Sequence, residues 1–105
     1  MSQAGDRILA RWEGGDFWFP GTVHSRNGDT IAIQYDDGMS EIRPSDQVKP
    51  LDWDVGSAIH AVWDGNGAWF ACHIVRIDGE GRNLRVRFDD DDTEQETPSG
   101  RCRSR

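Results

Sequence analysis

The sequence has few of the residues and segments that mark secreted or membrane proteins. It contains only two cysteines, Cys72 and Cys102, which are too few for a disulfide framework. One disulfide between them stays open, but two small buried thiols are the favoured interpretation. No apolar run approaches the ~18 residues of a membrane-spanning helix, and there is no apolar leader at the N-terminus. We therefore expect an intracellular protein without a membrane partner, in the nucleus of a eukaryote or the cytoplasm of a bacterium.

Catalytic and metal-binding motifs are equally scarce. There is no nucleophile elbow and no phosphate-binding loop, and His24, His60 and His73 fall at unrelated places in the sequence. The acidic run at 89–92 lacks the spacing of an EF-hand calcium loop, so we interpret it as a solvated acidic turn. We therefore predict a protein that is not an enzyme and that holds no metal and no cofactor.

The charge of the chain is strongly one-sided. Acidic residues outnumber basic ones, and the net charge is -7. Such a charge repels phosphate backbones and attracts cationic partners, which favours a basic peptide over nucleic acid. Arg101, Arg103 and Arg105 are the exception, because they form a short basic stretch at the end of the chain. Nucleic acid is therefore disfavoured by charge but stays an alternative.

The most informative feature is an internal repeat. Residues 5–21 align with residues 56–72 without a gap, at an offset of 51, and seven of the seventeen positions are identical. The identical pairs are Gly5/Gly56, Ile8/Ile59, Ala10/Ala61, Trp12/Trp63, Gly14/Gly65, Trp18/Trp69 and Phe19/Phe70. Two shorter blocks follow in each half: 31–37 with 84–90, and 44–49 with 98–103.

The repeat predicts two small domains of one fold. We place the first at residues 1–50, a short linker at 51–55 and the second domain at 56–105. In the last aligned block Cys102 stands where Val48 stands in the first half. Cys102 is therefore predicted to face inward from a final strand.

Each half has the pattern of short strands. Apolar residues alternate with polar ones, as at Ile31, Ile33 and Tyr35, which is the period of a half-buried strand. Turn signals such as Asn27-Gly28 separate these segments, and no helical period occurs. About five such strands fit each half, and a closed barrel is favoured because it leaves few exposed edges.

Three segments together resemble a Tudor domain of the Royal superfamily. They are Ala10-Arg-Trp12, Phe17-Trp-Phe-Pro-Gly-Thr-Val23 and Ile33-Gln-Tyr-Asp-Asp-Gly38, and the second half repeats them. The resemblance covers residues 5–49 and 56–103, and the tandem arrangement resembles that of tandem Tudor and agenet-like proteins. It implies an all-β fold of two SH3-like (Tudor) five-stranded barrels in tandem.

The resemblance also implies an aromatic cage at one end of each barrel. The matching residues of the first half are Trp12, Phe19, Tyr35, the carboxylate Asp37 and, where many family members have an aromatic residue, Met39. Those of the second half are Trp63, Phe70, Phe88 and Asp90, with Asp92 at the place of Met39. Each cage is therefore expected to be open on one side.

Such a cage suits a methylated lysine or arginine. A methylated ammonium keeps its charge but loses hydration, so the electron-rich faces of rings can replace water around it. Asp37 adds attraction and can accept a hydrogen bond from a remaining N–H, which favours lower methylation states over the trimethyl form. We therefore predict a monomeric, non-catalytic binding module for a methylated basic peptide that resembles a histone tail.

Other interpretations stay open at this point. Small barrels need aromatic residues to fill their interiors, so Trp12 and Trp63 are also candidates for the core. A nucleic-acid-binding barrel would use the basic C-terminal strand, and a protein–protein adaptor would carry a vestigial cage. Trp18 and Trp69 stand one residue before the cage positions, so they are predicted to point to the opposite face and to pack there or contact the other barrel.

Overall fold

The chain folds into two compact units made of β-strands. The structure, a computed structural model, describes residues 3–105, and those residues contain no α-helix. One unit ends at Asp52 and the other spans Trp53–Arg105, so the boundary falls inside the predicted linker. Trp53 belongs to the second unit, where its indole N–H donates to Ser104 Oγ at 2.8 Å. No helix among the described residues is long and apolar enough to cross a membrane.

The first unit contains the strands β1 (Arg7–Arg11), β2 (Trp18–Asn27), β3 (Thr30–Tyr35), β4 (Ser40–Pro44) and β5 (Val48–Pro50). They form an antiparallel sheet in the order β5-β1-β2-β3-β4. Short 3₁₀ turns follow β1 at Trp12–Gly14 and β4 at Ser45–Gln47. The Asn27-Gly28 signal is confirmed, because Gly28 takes a left-handed φ of 61° in the tight turn between β2 and β3.

The second unit contains the strands β6 (Ala58–Val62), β7 (Trp69–Ile77), β8 (Asn83–Phe88), β9 (Glu94–Pro98) and β10 (Cys102–Ser104), with a 3₁₀ turn at Ser99–Arg101. It repeats the connectivity of the first unit in the order β10-β6-β7-β8-β9. Even the β-bulges coincide, between Val23 and Ser25 in β2 and between Ile74 and Arg76 in β7. The prediction of an all-β repeat is therefore confirmed.

The prediction of closed barrels is not met by the hydrogen-bonded ladders. Among the described residues, no ladder joins β4 to β5 in the first unit or β9 to β10 in the second. The turns Ser45–Gln47 and Ser99–Arg101 carry the chain from one strand to the next. The strand that follows each turn pairs with the first strand of its unit instead.

The core of each unit comes from the alternating apolar residues. In the first unit it comprises Ile8, Ala10, Val23, Ile31, Ile33 and Tyr35, with Trp12, Phe19 and Val48 packed against it. Buried residues of the second unit include Ile59, Ala61, Cys72, Ile74, Leu84, Val86, Phe88 and Cys102. Both cysteines are free and buried, as favoured above. Burial raises the pKa of each thiol to about 12.

Candidate functional site

Five residues of the first unit surround one hollow at the end of the sheet. Trp12 comes from the turn after β1, Phe19 from β2 and Tyr35 from the end of β3, while Asp37 and Met39 come from the turn before β4. They line a space of about 270 Å³, and they are the five residues that the resemblance implies. The rings of Trp12 and Tyr35 meet edge to face, with centroids 5.4 Å apart. Tyr35 is only 3% exposed, whereas Met39 is 50% exposed.

The alternative that Trp12 belongs to the hydrophobic core is therefore only partly correct. Trp12 and Phe19 pack against the hydrophobic core, yet both remain partly accessible and line the hollow. The turn that presents Trp12 is tight: Gly15 N–H donates to the Trp12 carbonyl at 2.9 Å, and Glu13 adopts a left-handed φ of 53°. A non-glycine residue in this region stores backbone strain, which is a feature of binding sites.

The turn between β3 and β4 fixes the lip of the hollow. Tyr35 N–H donates to the Met39 carbonyl at 2.8 Å, and Met39 N–H donates to Asp37 Oδ1 at 2.9 Å. Gly38 provides the left-handed residue that this turn needs, with φ 94°. Asp37 is thus held at the rim with its carboxylate exposed.

The neighbouring aspartate has a structural task instead. The Arg7 guanidinium donates two hydrogen bonds to Asp36, at 2.7 Å to Oδ1 and 2.6 Å to Oδ2. The Asp36 side chain is only 5% exposed, so this bidentate pair anchors the turn from behind. The two adjacent carboxylates therefore have separate roles, one anchoring the turn and the other facing the hollow.

A residue that the sequence interpretation missed lies behind the hollow. The Tyr35 hydroxyl donates to Glu41 Oε2 at 2.6 Å, and Glu13 N–H donates to the same carboxylate at 3.1 Å. Burial, and then the hydrogen bond and charge of Glu41, raise the pKa of Tyr35 above its ordinary value. The phenol therefore stays a protonated donor. The sequence offers one signal for this position. Extending the third aligned block back by three residues from Pro44 and Pro98 pairs Glu41 with Gln95.

The second unit has a similar but smaller hollow. It measures about 90 Å³, and its lining residues are Trp63, Phe70, Phe88, Asp90 and Asp91. Phe70 meets Trp63 and Phe88 edge to face, with ring centroids 6.0 Å and 6.4 Å apart. Trp63 is 38% exposed. The four residues predicted here are thus brought together, and Asp91 is an addition.

The turn that follows Phe88 corrects one alignment. Phe88 N–H donates to the carbonyl of Thr93 at 2.8 Å, so the turn is one residue longer than the one after Tyr35. Thr93, and not Asp92, therefore stands at the place of Met39, and the prediction for Asp92 is wrong. Asp92 instead takes the left-handed position, with φ 61°.

The same extra residue changes which carboxylate matches Asp37. Asp91 Oδ1 accepts a hydrogen bond from Thr93 N–H at 3.0 Å, as Asp37 does from the corresponding N–H in the first unit. Asp91 is therefore the geometric counterpart of Asp37, and Asp90 is the inserted neighbour. The signal was present, since the alignment offset rises from 53 to 54 between the last two blocks.

The tryptophans that precede the cage positions pack elsewhere. Lys49 Nζ lies 4.6 Å from the centroid of the Trp18 ring, and the guanidinium of Arg103 lies 4.2 Å from that of Trp69. Both contacts lie within one unit, so each unit covers this tryptophan with a cation from its last strand. Neither tryptophan is among the residues that line the hollows, as the alternation along the strand predicted.

The C-terminal arginines are engaged inside the second unit. Arg101 pairs with Asp64 at 3.3 Å, and Arg105 pairs with Asp89 at 2.8 Å. Arg103 covers Trp69 as described. A phosphate backbone would have to compete with these contacts, so nothing in this arrangement favours nucleic acid. In the described part of the chain, no group of three or more His, Cys, Asp or Glu side chains is placed to hold a metal ion.

Comparison with solved structures identifies the fold. The crystal structure of the Crb2 tandem Tudor domains is similar with a TM-score of 0.69 and 15% sequence identity, over 100% of this chain and 81% of that one. The chain has a tandem Tudor fold. Two tandem agenet structures also cover 100% of this chain: ADCP1 domain 3-4 (TM-score 0.45, 16% identity, 81% of that chain) and Arabidopsis thaliana AGDP1 AGD34 (0.46, 17%, 83%). No protein-family model and no curated protein sequence matches the chain.

Proposed function

We propose that the first unit of this tandem Tudor fold is a non-catalytic binding module for a methylated lysine or arginine in a basic, histone-tail-like peptide. The observation that carries the proposal is the shared hollow of Trp12, Phe19 and Tyr35 with Asp37 at its rim. Three aromatic rings around one space are the arrangement that attracts a poorly hydrated cation. Each face contributes roughly 0.5–2 kcal/mol, depending on how dry the site is.

Because the hollow is open on the side of Met39, we expect it to accept methylated side chains of different shapes. Met39 is half exposed, and its flexible, polarisable thioether adapts to ligands of different shape. Asp37 supplies a carboxylate with several acceptor positions, one of which Met39 N–H occupies. A ligand N–H finds an acceptor there, so mono- and dimethylated forms are expected to bind better than the trimethyl form.

The charge of the chain extends the site to neighbouring residues of the peptide. A single methylated side chain provides limited affinity, so flanking lysines or arginines have to contribute. Asp37 and the net charge of -7 create a field that complements them. In a eukaryote this task places the protein in the nucleus. In a bacterium, which lacks histone tails, the same task places the protein in the cytoplasm, where another methylated protein is the ligand. In both cases we propose that the chain acts as a monomer.

We propose the hollow of the second unit as a weaker site. It contains Trp63, Phe70, Phe88, Asp90 and Asp91, but its volume is about 90 Å³ against about 270 Å³ in the first unit. This smaller volume also favours a second candidate role for this unit, that of an adaptor with a vestigial hollow.

The proposal is tested by NMR titration of the full chain. Peptides with unmodified, mono-, di- and trimethylated lysine and with dimethylated arginine are added to the wild type, to Trp12→Ala and to Trp63→Ala. We expect methylation-dependent shifts at Phe19 and Tyr35 that disappear in Trp12→Ala and persist in Trp63→Ala. A matched control is Trp18→Ala, which removes a tryptophan of the same unit that lies outside the hollow.

Two results would contradict the proposal. One is the absence of shifts at Phe19 and Tyr35 with any methylated peptide. The other is an equal response to the unmodified peptide, which would mean that charge alone drives the interaction.

A further inference from the structure

Glu41 is placed behind Tyr35 rather than in the hollow. Its carboxylate accepts the Tyr35 hydroxyl at 2.6 Å, but it is not among the residues that line the hollow. The Glu41 side chain is 14% exposed, and Tyr35 is 3% exposed. A ligand in the hollow would therefore meet the ring of Tyr35, while Glu41 acts on the far end of the same ring.

The hydrogen bond has a chemical consequence for the ring. A short O–H···O⁻ contact to an ionised acceptor is charge-assisted, and it is stronger in surroundings from which water is largely excluded. It draws the proton away from the phenol oxygen and leaves more electron density on the ring. The attraction between a cation and a ring depends on the negative charge of the ring face. Tyr35 should therefore be a better wall for a cation with Glu41 in place than without it.

Glu41 also joins two walls of the hollow. Its carboxylate accepts Glu13 N–H at 3.1 Å, and Glu13 directly follows Trp12. A purely structural explanation of Glu41 is thus available, because this contact alone positions the turn that carries Trp12. Glu41 therefore has two candidate roles, one on the turn that carries Trp12 and one on the Tyr35 ring.

The second unit separates them. There Phe88 takes the place of Tyr35, and Gln95 takes the place of Glu41. Gln95 Oε1 still accepts the N–H of Asp64, at 3.0 Å, and its amide donates to the Val62 carbonyl at 2.9 Å. A neutral amide therefore suffices to hold the turn. The carboxylate is found only in the unit whose ring carries a hydroxyl.

We propose that Glu41 is a specificity-determining residue of the first hollow, which selects for positive charge by enriching the Tyr35 ring in electron density through its hydroxyl. This inference rests on the proposed function, since it concerns the same ligand site. It predicts that the hollow discriminates a cation from a neutral group of the same shape, and that this discrimination depends on Glu41 and the Tyr35 hydroxyl together.

The test uses two peptides that differ in one atom. One carries trimethyl-lysine, and the other carries its neutral analogue, in which carbon replaces the quaternary nitrogen. Dissociation constants are measured for the wild type, Glu41→Gln, Tyr35→Phe and the double variant. We expect each single variant to weaken binding of the cationic peptide roughly three- to tenfold and to leave the neutral peptide within twofold. The double variant should be no weaker than either single variant, because both changes break the same link.

The design distinguishes the possible failures. If Glu41→Gln weakens the cationic peptide equally in the wild type and in the Tyr35→Phe variant, Glu41 acts directly through space and the inference is overturned. If both peptides lose affinity to the same extent, Glu41 is structural and the inference is again overturned. If neither peptide binds the wild type but a dimethyl-lysine peptide does, the hollow does not select a cation through its rings and the inference is overturned. If the dimethyl-lysine peptide also fails to bind, the proposed function itself fails. Should Glu41→Gln not fold, Tyr35→Phe alone decides: a selective loss of the cationic peptide supports the inference, and an equal loss of both contradicts it.

Discussion

The two units share a fold and a ring arrangement but differ in the part of the hollow that would meet a ligand. Three aromatic positions recur, with Trp12, Phe19 and Tyr35 in one unit and Trp63, Phe70 and Phe88 in the other. The space between them differs threefold in volume, about 270 Å³ against about 90 Å³. The two hollows differ in the turn after the third strand of each unit, which is one residue longer in the second unit. A repeat can therefore preserve its core while its site diverges.

A second difference lies on the outer face of the sheet. In the second unit Arg85 and Arg87 bind Glu94 at 2.6 Å and 2.8 Å, and Arg76 bonds to Glu96. The corresponding residues of β4 are Ser40 and Ile42, and Ile42 is 63% exposed. Charged side chains protect an outer strand from unwanted pairing. At Ser40 and Ile42 the first unit has no charge in the corresponding places, so the two units differ in this surface as well as in their hollows.

The largest effect that we predict tests what the units have in common. Ile31 and Leu84 occupy corresponding positions, and each is 1% exposed. Ile31→Ala and Leu84→Ala should each lower the free energy of unfolding by roughly 2–4 kcal/mol, because each leaves a cavity in a small core. Urea titrations followed by the methyl NMR signals of Ile33 and Ile74 report the two units separately. A cost below ~1 kcal/mol at either position would show that its core is not as closely packed as the structure indicates.

The next effect breaks the comparison at the ligand site. Trp12→Ala should weaken binding of a dimethyl-lysine peptide at least tenfold, a change of about 1.4 kcal/mol, because it removes one ring and an edge-to-face contact with Tyr35. Trp63→Ala should change the overall affinity less than twofold, since the second hollow is smaller. Isothermal titration calorimetry measures both. A larger loss for Trp63→Ala would reverse the assignment of the stronger site.

A pH dependence tests the buried thiols of the second unit. Burial raises the pKa of Cys72 and Cys102 to about 12, from an ordinary value of 9.0. Because the folded pKa is the higher one, each thiol contributes stability below pH 9 that is lost as pH rises from about 9 to 12, at roughly 1 kcal/mol per pH unit. Cys102→Val, which introduces the residue found at Val48, should lessen this loss in the second unit. Urea unfolding at pH 8 and pH 10, followed by the Ile74 methyl signal, measures the loss of unfolding free energy between the two pH values. An equal loss in the wild type and in Cys102→Val would contradict the prediction.

Much of the fold could be predicted because successive side chains of a strand point to opposite faces. Alternating residues such as Ile31, Ile33 and Tyr35 face one side of a strand, and the aligned blocks then place the same side inward in both units. The five residues of the first hollow followed from the resemblance, since the family's cage positions map onto the ends of strands. These ends are fixed once the strands are paired.

The remaining features depend on contacts between strands or on the exact length of a turn. Glu41 reaches Tyr35 across the β3–β4 ladder, so its role becomes visible only when the strands are paired. Asp91 was missed because one inserted residue shifts the whole turn. Among the described residues β5 pairs with β1 and not with β4, a choice of partner that the alternation of apolar residues does not encode.

The smallest effect concerns the turn that distinguishes the two hollows. Gly38 and Asp92 both adopt left-handed backbone angles, φ 94° and 61°, but only glycine does so without strain. A Cβ at Gly38 would meet no atom within 4 Å, so the cost of Gly38→Ala comes from the backbone alone and should be about 1 kcal/mol. Asp92→Gly should change stability by less than ~1 kcal/mol, because the relief of strain is offset by the greater entropy of the unfolded glycine. Thermal unfolding of both variants tests this difference. If Asp92→Gly destabilised the protein more than Gly38→Ala, the acidic side chain and not the backbone would hold the longer turn, and the two turns would be built on different principles.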